Sequence, residues 1–220
     1  MKTDESGFTL IEILVALALA AMAMAAVYTT YVSQQKSYAV QQGVAEMQGN
    51  LRAAMHLMIT ELRAAGLDPT RKAKAAIKSV AEWDTTPDPD TPASIRFTAD
   101  LDRNESISTA EDDSEDVTYT LDIANKNLTR TSGDGGPEVV APNIEVLDLV
   151  FLDKDNNTTT TASDVASIQI TLVARSPNKD NAYSTDFSYT NLQGTTRTIA
   201  GDGYRRTSLS SQVYCRNAAY

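Results

Sequence analysis

The 220-residue sequence predicts an α+β fold in which a long N-terminal helix packs on an antiparallel β-sheet head. Three observations predict this fold. Residues 8–32 are almost entirely apolar, residues 33–66 continue in an amphipathic helical pattern, and short segments of β character follow from residue 67 onwards. The length suits one core of ordinary size, so we expect one globular head with an appended helical segment.

The first helical segment is predicted to cross a membrane. Residues 8–32 read FTLIEILVALALAAMAMAAVYTTYV, and Glu12 is their only charged residue. A helix of about 25 residues is long enough to cross the hydrocarbon core of a bilayer, which is about 30 Å thick. A secretory signal peptide has a shorter apolar run that ends at a small-residue cleavage site, whereas this run leads into a second helical pattern.

The second helical segment, residues 33–66, carries apolar side chains at spacings of three, four or seven, which is typical of an amphipathic helix. These residues are Val40, Val44, Met47, Leu51, Met58 and Leu62. Gly66 and Pro69 then occur in the order that ends helices. We therefore expect one continuous helix of about 60 residues, apolar all round in its first half and apolar along one stripe in its second half.

The rest of the chain is predicted to form antiparallel strands. The segments with β character are residues 94–98, 117–121, 127–130, 144–152, 165–173 and 207–214. Apolar and polar residues alternate clearly over residues 166–172, which indicates one face on the core and the other in water. A sheet that covers the apolar stripe of the helix would bury both surfaces.

Glu12 is chemically unusual because an ionisable carboxylate inside hydrocarbon costs about 2–3 kcal/mol or more on insertion scales. One explanation is that it lies near the lipid headgroups, where it snorkels or is protonated. The apolar segment contains no basic residue that could neutralise the Glu12 carboxylate. The alternative is therefore a positive group on another chain.

Residues 6–12, SGFTLIE, together with the apolar run that follows, resemble the processing and assembly signature of type IV prepilins and type II secretion pseudopilins. The resemblance implies that a prepilin peptidase cleaves between Gly7 and Phe8 and methylates the new N-terminus, giving N-methylphenylalanine. It also implies that Glu12 is the assembly glutamate, which approaches the Phe8 amine of a neighbouring subunit. Such a buried ion pair fixes axial register more than it adds stability.

The stretch from TTYVSQQ to ITELRAAG, the later NLTR and the terminal RRTSLSSQVYCRN resemble PilW-type minor pilins and the related pseudopilin J. This resemblance implies a pilin fold with a leader peptide at residues 1–7, a transmembrane or filament-core helix at 8–32, its amphipathic continuation at 33–66 and a β-rich head at 67–220. Many major pilins carry a proline within the apolar half, and its absence here favours a minor subunit.

The charges of the leader do not set the orientation of the chain, because Lys2 is accompanied by Asp4 and Glu5. The resemblance implies a cytoplasmic N-terminus and a single pass through the inner membrane, with the head outside the cytoplasm before assembly and in the pilus at the cell surface afterwards. The implied partners are other major and minor pilins through the N-terminal helix, the prepilin peptidase, the inner-membrane assembly platform, and membrane lipid before assembly.

A formal net charge of −10 opposes binding to nucleic acid, so no nucleic-acid partner is expected. The sequence contains no glycine-rich phosphate loop, no HExxH motif and no paired cysteines. Its single histidine, His56, lies within the predicted helix, and its single cysteine, Cys215, is expected to be a buried apolar side chain. No catalytic residue is therefore predicted.

One loop carries the spacing of a calcium site. Residues 100–111, DLDRNESISTAE, place oxygen-bearing side chains at positions one, three, five, seven, nine and twelve of a calcium-loop pattern. The predicted ligands are Asp100, Asp102, Asn104, Ser106 and Glu111. Glu105 occupies position six, where calcium loops normally have glycine. The flanking segments are strands, so the predicted site is not an EF-hand.

A solvated acidic loop is the alternative to a calcium site. Four further acidic residues follow the pattern and would repel one another without a cation. They are Asp112, Asp113, Glu115 and Asp116. A second run, at residues 153–157, begins in a similar way but has no closing carboxylate until Asp164.

The sequence leaves several functions open. The first is a minor type IV pilin that helps to prime assembly of the pilus or to cap it, and the second is a J-like minor pseudopilin of type II secretion. The third is a calcium-dependent adhesive or binding head displayed on a pilus. The fourth is a single-span anchored protein that never polymerises, which predicts no cleavage after Gly7.

Overall fold

The computed structural model describes residues 7–82, 92–110 and 113–217, in which a long helix is followed by ten strands and one short 3-10 helix. The helix α1 is Leu10–Ala64, and the 3-10 helix is Ala162–Asp164. The strands are β1 Ile77–Ala81, β2 Ser94–Thr98, β3 Asp116–Asp122, β4 Asn127–Ser132, β5 Glu138–Pro142, β6 Ile144–Leu152, β7 Ser167–Arg175, β8 Phe187–Thr190, β9 Thr196–Ile199 and β10 Arg206–Tyr214. The chain divides into two compact units, Met1–Gln42 and Gly43–Tyr220.

The described part of the first unit consists mainly of residues 10–42 of α1. Its large apolar side chains are exposed; Leu10, for example, is 80% exposed and Tyr28 is 68% exposed. The helix is long enough and apolar enough in this region to cross a membrane. The prediction of an unbroken helix that is apolar all round up to residue 32 is confirmed for residues 10–32.

The second unit begins with residues 43–64 of α1, which bury a single apolar stripe. The buried residues are Met47, Leu51, Ala54, Met55, Met58 and Leu62. This confirms the predicted stripe. Gly66 follows the helix with a φ of 77°, a left-handed conformation that glycine adopts without steric cost, and its N–H donates to the Thr98 carbonyl at 2.9 Å.

Ten strands form two antiparallel sheets and a separate hairpin within the described residues. The larger sheet has the order β1-β2-β3-β4-β5, the smaller has the order β10-β7-β6, and β8 pairs with β9. All six predicted strand segments are confirmed, with small shifts at their ends. β1, β5, β8 and β9 were not predicted because they are short and mostly exposed or half-buried, so their sequences lack a clear alternation.

Both sheets cover the apolar stripe of α1. Ile95 and Tyr119 of the larger sheet and Leu149 and Ile170 of the smaller sheet belong to the same buried cluster as the stripe. A smaller cluster of Val146, Val173 and Tyr189 lies between the β8–β9 hairpin and the opposite face of the smaller sheet, since successive residues of a strand point to opposite faces. The prediction of a helix packed on an antiparallel head is confirmed.

A polar contact ties the helix to the larger sheet inside this packing. The Tyr119 hydroxyl donates to Glu61 Oε2 at 2.6 Å, and Arg130 Nε donates to Glu61 Oε1 at 3.1 Å. Tyr119 is fully buried. Burial, followed by the hydrogen bond to Glu61, raises the pKa of Tyr119, so its hydroxyl remains a donor at neutral pH.

We expect Tyr119→Phe to lower the free energy of unfolding by about 1–2 kcal/mol, because it removes a hydrogen bond to a charged acceptor while Arg130 still pairs with Glu61. The measurement is the thermal midpoint of the full chain in detergent, which should fall by several degrees. Tyr38→Phe is the matched control, since Tyr38 is exposed. Equal midpoints for the two variants would contradict a stabilising role of the Glu61 contact.

Candidate functional site

The acidic loop, residues 99–115, connects β2 to β3, and the pairing of these strands brings its two ends together. Thr98 of β2 is the register partner of Asp116 of β3. The Ala99 N–H donates to the Glu115 carbonyl at 2.8 Å, which extends the ladder one step beyond the strands. Residues that follow β2 therefore lie beside Glu115, which immediately precedes β3.

Three carboxylates meet at this point and form an acidic triad: Asp100, Asp102 and Glu115. One carboxylate oxygen from each lies within 4.8 Å of the other two. Asp100 and Glu115 are buried and Asp102 is exposed. No lysine or arginine within the described ranges forms a salt bridge with any of the three. The acidic triad could hold a metal ion.

Backbone N–H groups of the loop orient the Glu115 carboxylate. Its Oε1 accepts from Leu101 N at 2.7 Å and from Asp102 N at 3.2 Å, and its Oε2 accepts from Ser108 N at 2.9 Å. Burial alone would raise the pKa of Glu115, but these donors outweigh it and hold the pKa below the ordinary value. Glu115 is therefore an anion at neutral pH, as a metal ligand must be.

Asp100 is completely buried, and its carboxylate is only half satisfied. Its Oδ2 accepts from Glu105 N at 3.3 Å, whereas its Oδ1 has no hydrogen-bond partner among the residues that the structure describes. A buried carboxylate oxygen without a partner is costly and uncommon in folded proteins. The Asp100 N–H donates to the Leu67 carbonyl at 2.7 Å, which fixes this residue next to the chain that follows α1.

The structure brings together only part of the predicted ligand set. Asp100 and Asp102 lie in the acidic triad, while Asn104 and Ser106 form successive turns outside it: Asn104 N donates to Asp102 Oδ1 at 3.0 Å, and Ser106 N donates to Asn104 Oδ1 at 2.9 Å. Glu111 lies outside the described residues. Sequence reasoning did not select Glu115 as a ligand, although the pairing of the two predicted strands on either side of the loop was a signal for it.

The turn of the loop has the conformation of a calcium loop at position six, although glycine is missing there. Glu105 has a φ of 72°. This left-handed conformation is uncommon for residues other than glycine and costs about 1–2 kcal/mol. The loop therefore adopts this tight turn despite its sequence.

The second acidic run, at residues 153–157, is internally satisfied. Asp153 Oδ1 accepts from Asp155 N at 2.8 Å and from Asn157 N at 2.9 Å. The acidic triad is the only group of metal-ligating side chains found within the described ranges, and Asp153 is not part of it.

At the start of α1, Glu12 forms a capping box with Thr9. Its Oε2 accepts from Thr9 N and from Thr9 Oγ1, both at 2.8 Å, and Thr9 Oγ1 accepts from Glu12 N at 3.3 Å. Sequence reasoning missed this contact, although T-x-x-E before an apolar run is its signature. Glu12 Oε1 accepts no hydrogen bond from the residues that the structure describes. Gly7 and Phe8 are exposed beside it.

Among the described residues, His56 and Cys215 belong to no cluster of candidate metal ligands. His56 is exposed on α1. Cys215 is buried, as predicted, and burial raises the pKa of its thiol to about 12. Its sulfur is therefore protonated and unreactive at neutral pH.

Comparison with known protein families finds matches to the N-terminal segment and to much of the head. The family model of the prokaryotic N-terminal methylation motif matches residues 2–28, and that of type IV pilus-assembly protein W matches residues 114–217. The chain is a type IV pilin-like protein with a PilW domain. No curated protein sequence matches the chain significantly.

A solved structure shares the fold of this pilin-like protein. A type IV-like pilin from Thermus thermophilus superimposes with a TM-score of 0.52 at 15% sequence identity, covering 79% of this chain and 98% of that one. The predicted fold class and family resemblance are confirmed. Pilins are structural proteins, not enzymes, and the methylation motif with its apolar helix points to a membrane-anchored subunit.

The pilin-like protein should lose stability in acid partly through Glu115. Because the pKa of Glu115 in the folded chain lies below its ordinary value of 4.5, its contribution to stability is present above pH 4.5 and is lost as the pH falls through the folded value. In calcium-free buffer, Glu115→Gln should therefore lower the thermal midpoint by several degrees at pH 6 and by less at pH 3.

The exposed Glu138→Gln is the matched control, and its midpoint should differ from that of the wild type by a similar small amount at both pH values. A gap between wild type and Glu115→Gln that stays constant from pH 6 to pH 3 would show that the Glu115 charge does not stabilise the fold.

Proposed function

We propose that this pilin-like protein is a minor type IV pilin that helps to prime assembly of the pilus or to cap it, after prepilin peptidase has cleaved it between Gly7 and Phe8. The observation that carries the proposal is the first part of α1, which exposes apolar side chains on every face and carries one carboxylate, Glu12, near its start. The methylation motif and the PilW domain support it.

A helix that is apolar on every face is stable only in lipid or among other helices. Leu19 and Val27, for example, are 62% and 66% exposed. Before assembly, the subunit is anchored by this helix in the inner membrane, with one pass and with its head outside the cytoplasm. After assembly, the helix packs against those of other major and minor pilins in the pilus at the cell surface, so lipid, the prepilin peptidase and the assembly platform are transient partners.

Glu12 is the assembly residue in this proposal. Its Oε2 is held by Thr9, which fixes the side chain near the N-terminus and leaves Oε1 to meet a positive group. The methylated amine of Phe8 in a neighbouring subunit is that group. The capping box explains how the isolated subunit tolerates the carboxylate, and the ion pair then sets the axial register of the helices.

A J-like minor pseudopilin of type II secretion would use the same helix and a similar head. The match of residues 114–217 to a pilus-assembly protein supports the pilus over the pseudopilus. A deletion strain distinguishes the two, because loss of piliation or twitching indicates a pilus subunit and loss of exoprotein secretion indicates a pseudopilus subunit.

Calcium is the cation that we propose for the acidic triad. Its members offer only oxygen ligands, which suit a hard cation, whereas zinc prefers nitrogen and sulfur ligands. Magnesium dehydrates reluctantly and usually keeps several waters, which suits a partly buried carboxylate site less well. A calcium-dependent adhesive head displayed on a pilus is the second candidate function, and the acidic triad is the observation that favours it.

Processing is tested by intact-mass spectrometry of protein from sheared filaments. We expect the wild type to have the mass of a chain that starts at Phe8 and carries one methyl group. Gly7→Val should remain uncut in the membrane, because a bulky side chain replaces the glycine at the cleavage site, whereas Gly49→Ala, on the exposed side of α1, should be processed normally. An uncut wild-type chain in cells with active peptidase would contradict the proposal.

Assembly is tested with Glu12→Gln. Breaking a buried ion pair costs about 3–5 kcal/mol, so we expect the amount in sheared filaments to fall at least about tenfold while the membrane level and the cleavage remain normal. Glu46→Gln is the matched control, since Glu46 is an exposed glutamate of the same helix. Quantitative immunoblots of both fractions measure the effect, and normal filament levels of Glu12→Gln would argue against the ion pair.

A further inference from the structure

We infer that one Ca²⁺ ion is held by Asp100, Asp102 and Glu115, with Glu115 as the closing carboxylate, and that this ion fixes the β2–β3 loop against the segment that follows α1. The inference rests on the calcium part of the proposed function and deepens it. The pairing of β2 with β3 identifies the three ligands. The bound ion would also order the segment that follows α1, which lies outside the loop.

The unpartnered oxygen of Asp100 is the first argument. Asp100 is fully buried, contributes an oxygen to the acidic triad, and has a carboxylate oxygen without a hydrogen-bond partner in the described chain. Folded proteins rarely leave such a buried atom without a partner, and a bound ion or water is a common partner where no protein group supplies one. A cation at the acidic triad would supply the missing partner and would neutralise part of the repulsion among the three carboxylates.

Glu115 suits the closing position because its carboxylate is already oriented. Three backbone N–H groups hold its two oxygens, and a carboxylate can accept about four contacts, so lone-pair capacity remains for an ion. Outer contacts of this kind orient metal ligands and fix their charge. The three N–H groups belong to Leu101 and Asp102 at the start of the loop and to Ser108 near its end. An ion bound to Glu115 would therefore stabilise both parts of the loop.

The segment after α1 is attached to the loop next to this position. The Leu67 carbonyl accepts from Asp100 N at 2.7 Å, and the Lys72 ammonium pairs with Glu105 at 2.7 Å. The Lys72 pair is exposed and contributes little by itself. An ion bound at Asp100 would therefore make the order of residues 66–74 depend on calcium.

The end of the loop, at Thr109, is attached to the turn after β4 by contacts that do not involve the acidic triad. The Thr109 carbonyl accepts from Asp134 N at 2.8 Å, and Thr109 Oγ1 donates to Asp134 at 3.0 Å. Gly133 packs directly against the Thr109 carbonyl, so no side chain fits at that position. Opening of the loop without calcium should therefore be confined to its first part, near Arg103, and to the segment after α1.

The test uses the full chain in detergent, treated with chelator and then supplied with either calcium or magnesium. Isothermal titration measures binding, and limited trypsin digestion followed by mass spectrometry measures loop opening. The cleavage sites of interest are Arg103 in the loop and Lys72 after α1, and Lys154 serves as an internal reference that also corrects for the effect of calcium on trypsin. All three residues are exposed.

We expect one equivalent of Ca²⁺ to bind. With a Kd of about 0.1–1 mM, which is typical of extracellular calcium modules, calcium at about 5 mM should slow cleavage at Arg103 relative to Lys154 by about 6- to 50-fold. Magnesium should protect much less. Asp100→Asn and Glu115→Gln should weaken binding at least about tenfold and abolish protection, since each removes one charged ligand from a small set.

Two further variants identify the closing ligand. Glu111→Gln should bind calcium nearly as the wild type does, because Glu115 closes the site, and the exposed Glu138→Gln controls for loss of one surface charge. Circular dichroism of each variant checks that it is folded. Asp100→Asn preserves the shape of the side chain, so it tests the charge even if Glu115→Gln unfolds the loop.

The possible results distinguish three claims: the set of calcium ligands, calcium binding itself and the pilin function. Calcium binding that is lost in Glu111→Gln and kept in Glu115→Gln would overturn the ligand set and leave the calcium proposal standing. Binding that no variant affects would overturn the ligand set in the same way, and absence of binding would overturn both. Binding without protection at Arg103 and Lys72 would overturn the structural effect. None of these results alters the filament tests of Gly7 and Glu12, which address the pilin function directly.

Discussion

Hydrophobic packing between the second part of α1 and the two sheets is the interaction on which the head depends. Met58 and Leu62 are completely buried between strands that are far from them in sequence. This packing fixes where α1 ends, and Gly66 then turns the chain so that its N–H reaches the Thr98 carbonyl at the end of β2. The position of the acidic loop therefore follows from the position of the helix stripe.

One helix has to satisfy two different surroundings. Its first part exposes apolar side chains on all faces, which suits lipid or neighbouring helices, and its second part exposes polar side chains except along one stripe. The capping box between Thr9 and Glu12 provides hydrogen bonds to the only charged side chain among residues 8–32. One oxygen of this carboxylate is thus held within its own helix, and the other accepts no hydrogen bond from the described residues.

The sequence predicted the parts of the fold that local periodicity encodes and did not predict those that depend on distant pairing. The helix and six of the strands followed from local sequence pattern. The other four strands are short and mostly exposed or half-buried, and two of them, β8 and β9, pack on the outer face of the smaller sheet. The predicted set of metal ligands was correct only in part. Asp100 and Asp102 lie close together as predicted, but the third carboxylate is that of Glu115, which the register of β2 with β3 brings beside them. Asn104 is drawn into a turn with Asp102, a local competition that a linear ligand pattern does not include.

The burial of Cys215 also bears on the covalent links that this protein can form. Under oxidising conditions, an accessible lone thiol can pair with the same residue of another copy, which would cross-link two chains covalently. In this fold the thiol lies at the end of β10 inside the core, where it is neither accessible nor ionised. While the head is folded, two copies of the chain therefore cannot join through Cys215, and a disulfide-linked dimer would indicate that the head had opened.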